Sequence, residues 1–158
     1  MSQTRAKLSC ALAMARAVPL GDTDQAMSQE NLDRVREAYE FVEREHEPDF
    51  DLLDPDIRWH TRTDLPDTAT HIGHDGAATL FAEWFGGAFG DIHVDVEELF
   101  DAGDRVVVVL RLRGRVKGSA HEVAMSETHV LTMRDGKVVE IQEYPTKAEA
   151  LEAVGLVE

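Results

Sequence analysis

Only one cysteine, Cys10, stands among 158 residues, so an internal disulfide and a thiolate metal cage are both excluded. Positive charge is scarce too. Sixteen lysines and arginines face 31 aspartates and glutamates, for a net charge of -15. Such a field repels phosphate backbones and anionic lipid, which argues against nucleic-acid and membrane partners. No run reaches the roughly 18 apolar residues of a membrane span. A phosphate loop, a dinucleotide fingerprint and a G-x-S-x-G elbow are also missing, so no cofactor is implied. What remains is an ordinary globular composition, 43% apolar, long enough for one domain with a real core. The expected setting is a reducing, cytoplasmic one.

Near the start, Arg5 and Lys7 precede a short apolar run, Leu8 to Ala15, that Arg16 interrupts. It is too short and too weakly apolar for a signal peptide. Residues 1–27 are therefore read as a loosely ordered extension. Pro19, Gly21 and Asp22 to Gln25 form a linker, Met27 is an alternative start, and the domain occupies 28–158.

Leu32, Val35, Tyr39 and Val42 recur at helical spacing, widened by Ala38 and Phe41, with Ser28 as N-cap and Pro48 as the stop. A turn or short helix at Phe50 to Leu53 leads to a strand over Ile57 to Thr61, with Trp59 inward. Residues 62–74 read as a loop, and Asp75 caps a helix over Gly76 to Ala88 bearing Leu80, Phe81, Trp84 and Phe85. The period then changes to two, predicting strands at about 91–100, 104–116, 121–134 and 137–144, with hairpins at Ala102-Gly103-Asp104 and Asp135-Gly136. Thr146 and Glu149 open a last short helix that Gly155 ends. Helices followed by a meander give an α+β domain.

Strand parity supplies the sharpest functional expectation. Val123, Met125, Leu131 and Met133 are odd positions of one strand and face the core. Glu127 and His129 share that parity and therefore point into the interior, about 6–7 Å apart. A carboxylate alone there would be costly, whereas an adjacent imidazolium stabilises it and equips the pair to move protons near neutral pH. A purely structural pair fits equally well. On the neighbouring strand Arg111, Arg113 and Arg115 form an outer row meeting surface carboxylates. Val107 and Val109 on that same face imply a cover, expected to be a second subunit. His60, His71, His74 and Asp75 invite a metal, but Asp75 is already explained as a cap, so no metal site is assigned.

The order of several segments resembles a known family. These are Asp54-Pro55-Asp56-Ile57-Arg58-Trp59-His60, Gly73-His74-Asp75-Gly76, His129 to Val139, Glu143-Tyr144 and Ala150 to Leu156. Over about 30–156 the chain resembles the SnoaL-like branch of the NTF2-like superfamily. The resemblance implies a cone, a curved, mostly antiparallel sheet wrapped around N-terminal helices with a pocket at its open end. Relatives include polyketide cyclases, ketosteroid isomerases and limonene epoxide hydrolases. In that comparison His129 lies where cyclases carry a catalytic aspartate and isomerases an oxyanion-binding one, and Tyr39 roughly matches the isomerase tyrosine. Thr61 replaces the isomerase base. Glu143 and Arg111 resemble part of the hydrolase acid–arginine–acid set, but Arg113 stands where its second acid belongs.

Two functions follow as expectations. One is an acid–base isomerase or cyclase acting on an apolar, carbonyl-bearing molecule. His129 would be its base or donor, Glu127 the partner, and Tyr39, Trp59, Trp84, Phe85, Met125, Glu143 and Tyr144 the pocket. The other is a non-catalytic ligand-binding or dimerisation module. Both expect a homodimer through the outer sheet face.

Overall fold

The computed structural model describes residues 22–156, with side chains described from Ser28 onward. Helix α1 (Asp22–Glu45) is followed by β1 (Leu53–His60), β2 (Thr70–Ile72) and α2 (Gly73–Phe85). Four long strands come next: β3 (Phe89–Ala102), β4 (Arg105–Val116), β5 (Glu122–Arg134) and β6 (Lys137–Tyr144), before α3 (Lys147–Ala153). They form one sheet in the order β2-β1-β6-β5-β4-β3, antiparallel except where β1 runs parallel to β6. Register shifts in β1–β6, β3–β4 and β5–β6 bend the strands, which is how an open sheet curls around helices. Asp135 and Gly136, both at positive φ, make the tight β5–β6 turn, as an Asp-Gly pair does without strain.

The sheet's inner face and the two long helices enclose the main core. Val35, Ala38, Tyr39 and Val42 of α1 pack with Leu80 and Phe81 of α2 against Ile57, Trp59, Val108, Leu110, Leu131 and Ile141. The outer face carries a second, smaller cluster in which α3 places Ala150 and Leu151 on Val107 and Val130. Val107 is thus covered by the chain's own C-terminal helix, and the second subunit expected for that role is not needed there. Apolar residues on both faces of a strand demand a cover but do not say who supplies it. Thr146 caps α3 as expected, accepting from the Glu149 backbone N–H.

Other boundaries moved. The Asp22 to Gln25 stretch is the first turn of α1 and not a linker, so Ser28 lies inside the helix and does not cap it. Residues 1–21 of the expected extension lie outside the described residues. The expected loop at 62–74 contains β2, a three-residue edge strand too short to show alternation, whose hydrogen bonds come from β1. Phe50 begins a turn. Helix α2 starts at Gly73, whose φ of +75° turns the corner straight out of β2. Its N-cap, Ile72, has no side-chain bond, and Asp75 lies in the first turn, where its charge suits the helix dipole. No helix among the described residues is long and apolar enough to cross a membrane.

Candidate functional site

Between the helices and the inner sheet face lies a cavity of about 400 Å3. One wall is aromatic. Trp59 from β1 meets Phe81 and Trp84 of α2 edge-on, with ring centroids 5.6 and 6.0 Å apart, and Phe85 continues the row. Ala38, Tyr39 and Val42 of α1 face it, with Leu110, Leu112 and Leu131 on the sheet. Such a cavity has room for a small molecule and offers it few polar contacts.

Those polar contacts come from one connected cluster. His129 is 1% exposed and Glu127 is 5% exposed. Both lie on β5 with inward parity, and register sets His129 opposite Glu143 of β6. The Tyr39 hydroxyl is 2.8 Å from His129 Nδ1, and Glu127 Oε2 is 2.8 Å from His129 Nε2. Glu143 Oε2 lies 3.9 Å from that same Nε2. Trp59 Nε1–H donates to Glu143 Oε2 at 2.8 Å, and the Arg62 backbone N–H donates to Oε1 at 3.3 Å. The Arg62 guanidinium stands 3.6 Å from Glu127 Oε1 while forking onto Asp64 at 3.0 and 2.7 Å. A buried row therefore runs from tyrosine through histidine to two carboxylates and an arginine.

Each environment fixes a protonation tendency. Burial opposes charge on His129, but the hydrogen bond and charge of Glu127, then the charge of Glu143, outweigh it and raise its pKa. Burial drives Glu143 up to about 7, with the Glu127 charge adding to the rise and His129, Trp59 and Arg62 opposing it. Tyr39 is raised well above its usual value by burial and the two carboxylates, so it stays a phenol. In the imidazolium form His129 donates both N–H groups, one to Glu127 and one to the Tyr39 oxygen. The Tyr39 proton is then free to point at a ligand. Both imidazole nitrogens are engaged inside the protein, so neither is left to meet a ligand directly.

Tyr39, Trp59, Trp84, Phe85, Met125, Glu127 and His129 all line the cavity. Glu143 sits behind them, 3% exposed, and reaches the cavity only through Trp59 and His129. Tyr144 is a correction: its side chain packs in the outer cluster with α3, because consecutive strand residues point to opposite faces and Glu143 already points in. Arg62 is the participant that sequence reasoning missed. It follows β1 in the turn-rich stretch, where no periodicity marks an inward side chain. Thr61 is occupied in closing that loop, its hydroxyl donating to the Ala69 carbonyl. Arg113 pairs with Asp95 at 3.1 Å and Arg115 with Asp91 at 3.5 Å, the surface pairing expected of the arginine row.

Glu127, His129 and Glu143 offer one ligand atom each within 4.8 Å of one another. His129 Nε2 already meets Glu127 at hydrogen-bond distance, and Arg62 faces the other Glu127 oxygen. Protons and an arginine thus balance the carboxylates, the role a cation would otherwise play. The histidines considered from sequence are engaged separately. His60 holds Thr70 and Glu140, whereas His74 bonds the Leu53 carbonyl.

The comparisons with known proteins agree with this architecture. In fold the chain is similar to an NTF2-like protein of unknown function from Burkholderia pseudomallei, with 24% identity over 79% of this chain and 97% of that one and a TM-score of 0.61. It is similar to TerC, co-crystallised with polyporic acid, at 23% identity, 78% and 97% coverage and a TM-score of 0.61. A SnoaL-like, polyketide-cyclase-type protein from Jannaschia sp. gives 21% identity, 87% and 96% coverage and a TM-score of 0.60. No curated protein sequence matches the chain significantly. Residues 26–141 match the SnoaL-like domain, and the chain belongs to that family, with the NTF2-like cone fold.

Proposed function

We propose that this chain binds a small, mostly apolar molecule through one carbonyl oxygen and moves a proton at the adjacent carbon, as an isomerase or cyclase does. The observation that carries this reading is the Tyr39–His129–Glu127 row opening onto an otherwise apolar cavity. The Tyr39 O–H, polarised by the imidazolium behind it, donates to the carbonyl oxygen and stabilises the negative charge that develops there. Glu127, the carboxylate that borders the cavity, takes the α-proton: the C–H bond breaks, a carboxyl O–H forms, and the electron pair enters the enolate. Returning the proton to another carbon isomerises the molecule. Attack of the enolate on a second carbonyl closes a ring. His129 is a positioning residue, and Glu143 tunes its charge.

The second reading is a non-catalytic binding module, favoured by Thr61 and Arg113 standing where relatives carry acids. A homodimer belongs to either reading, through the outer sheet beyond α3 where Arg111 and Ser126 are exposed. The single cysteine is in keeping with a cytoplasmic location. The test is deuterium exchange at the α-carbon of a bicyclic ketone, 2-tetralone, followed by NMR in D2O. Catalysed exchange that falls about 100-fold in Glu127→Gln, with folding intact, is expected. Binding with no exchange above buffer would replace catalysis by the module.

A further inference from the structure

We infer that the ligand is longer than the cavity: an uncharged ketone with its carbonyl at Tyr39 and an apolar remainder that emerges at the mouth onto a collar of Leu65, Phe89, Val123 and Met125. This rests on the proposed function and names the substrate class of the same site. Among the described residues five large apolar side chains are exposed: Leu65 at 42%, Ile72 at 63%, Phe89 at 40%, Val123 at 36% and Met125 at 43%. All but Ile72 line this one cavity. They arrive from three separate segments, the loop after β1, the start of β3 and the start of β5. On a chain carrying -15 charges, apolar exposure gathered at one opening marks a surface meant to be covered.

The cover is identified by continuity. Val123, Met125, Glu127 and His129 are successive inward positions of β5, so one stripe leads from the polar cluster to the rim. Six residues of strand make that stripe about 20 Å long. Residues 122–126 are all exposed, so Val123 and Met125 line the cavity and yet stay open to solvent. On β4, Gly114 pairs with Val123 and has only 3.4 Å from an added Cβ to the Phe89 Cβ. Phe89 thus lies within van der Waals reach of that point on the strand. The collar is therefore built into the cavity wall, and a molecule already held at Tyr39 meets it without a second binding event. Asp49, Asp67 and Arg113 also line the cavity; Arg113 is already paired with Asp95 and the carboxylates outnumber it, which disfavours an anionic tail.

A series of phenyl ketones tests this, from acetophenone through hexanophenone to decanophenone, with Kd read from quenching of Trp59 and Trp84. Hexanophenone fits within the cavity of about 400 Å3, whereas the longer tail of decanophenone, with its carbonyl at Tyr39, follows the stripe of roughly 20 Å out to the collar. Kd is expected to fall about threefold to fourfold per methylene along the whole series. In the Phe89→Ser/Met125→Ser double variant the gain beyond hexanophenone should vanish. Kd that levels off or rises beyond hexanophenone in the unaltered protein would overturn the inference and leave the proposed function standing. So would a variant that weakens every ketone equally, or one that turns an oligomer into a monomer with the length dependence unchanged, since a second copy then covers the collar. Failure of every ketone to bind would overturn both, and binding with full length dependence but no α-exchange would remove only the catalysis.

Discussion

Replacing Glu143 by glutamine removes the group whose proton the folded chain holds most unusually. Its carboxyl titrates at about 7 instead of 4.5, and with 3% exposure little solvent screening intervenes. At about 1.4 kcal/mol per pH unit, that displacement is worth about 3 kcal/mol. The folded chain keeps the proton to higher pH than the unfolded chain does. The contribution to stability is therefore complete below pH 4.5 and is lost as pH rises through 7. Between pH 5 and 8 the loss comes to about 2.5 kcal/mol. In Glu143→Gln that loss disappears, leaving a roughly constant offset of about 1 kcal/mol because the amide cannot accept from both Trp59 and Arg62. Removing the Glu143 charge also lets the His129 pKa fall back, which flattens the variant's profile further. Urea titrations at pH 5, 6, 7 and 8, read by tryptophan fluorescence, measure both proteins. With an m-value of about 1–3 kcal/mol/M, the variant's midpoint should rise relative to that of the unaltered protein by on the order of 1 M from pH 5 to pH 8, so that the variant ends as the more stable of the two. Repulsion among the surface carboxylates is common to both and cancels. Parallel profiles would refute the claim that burial holds this proton.

Tyr39→Phe leaves the His129 Nδ1–H buried without its partner and should cost about 1–3 kcal/mol in denaturation free energy, together with about 100-fold in catalysed α-exchange. Arg62→Met withdraws a positive charge from the carboxylates while keeping the backbone N–H to Glu143. With Glu127 then buried without its guanidinium neighbour, the denaturation free energy should fall by about 1–3 kcal/mol; a loss under about 0.5 kcal/mol would remove Arg62 from the electrostatics. Leu151→Ala strips the cover from Val107 and Val130 and should cost about 2–4 kcal/mol. A loss under about 0.5 kcal/mol would show that α3 does not hold the outer face.

The legible parts of this molecule were those governed by a period. Alternation alone turned Glu127 and His129 inward on β5, and the helical stripe of α1 delivered Tyr39 to the same interior. The family resemblance supplied the cone. Three features had no periodic signature. Arg62 reaches in from a polar connection, where its inward aim depends on Asp64 beside it and on Glu127, 3.6 Å away. β2 is three residues long and exists by pairing with β1. α3 announced itself through its cap and its Leu151, yet nothing in its seven residues says which apolar face it will cover. Tyr144 is the opposite case: it follows Glu143 in sequence, but a strand turns consecutive side chains to opposite faces, so it joins the outer cluster and not the pocket.

The histidine at position 129 reorganises the chemistry around it. In the resembled cyclases and isomerases an acid occupies this place, and an acid facing Tyr39 would either share its proton or accept from it. An imidazolium does the reverse. It donates to the Tyr39 oxygen and so directs the phenolic proton into the cavity. A buried cation needs a counter-charge, and Glu127 lies two residues earlier on the same face at 2.8 Å. That carboxylate borders the cavity, so the counter-ion is also the nearest candidate base. Glu143 then completes the set: with Glu127 ionised close by, burial keeps the second carboxyl protonated up to about pH 7. Each of the four groups answers the one before it, so the position matches the resembled families while the groups gathered around it differ.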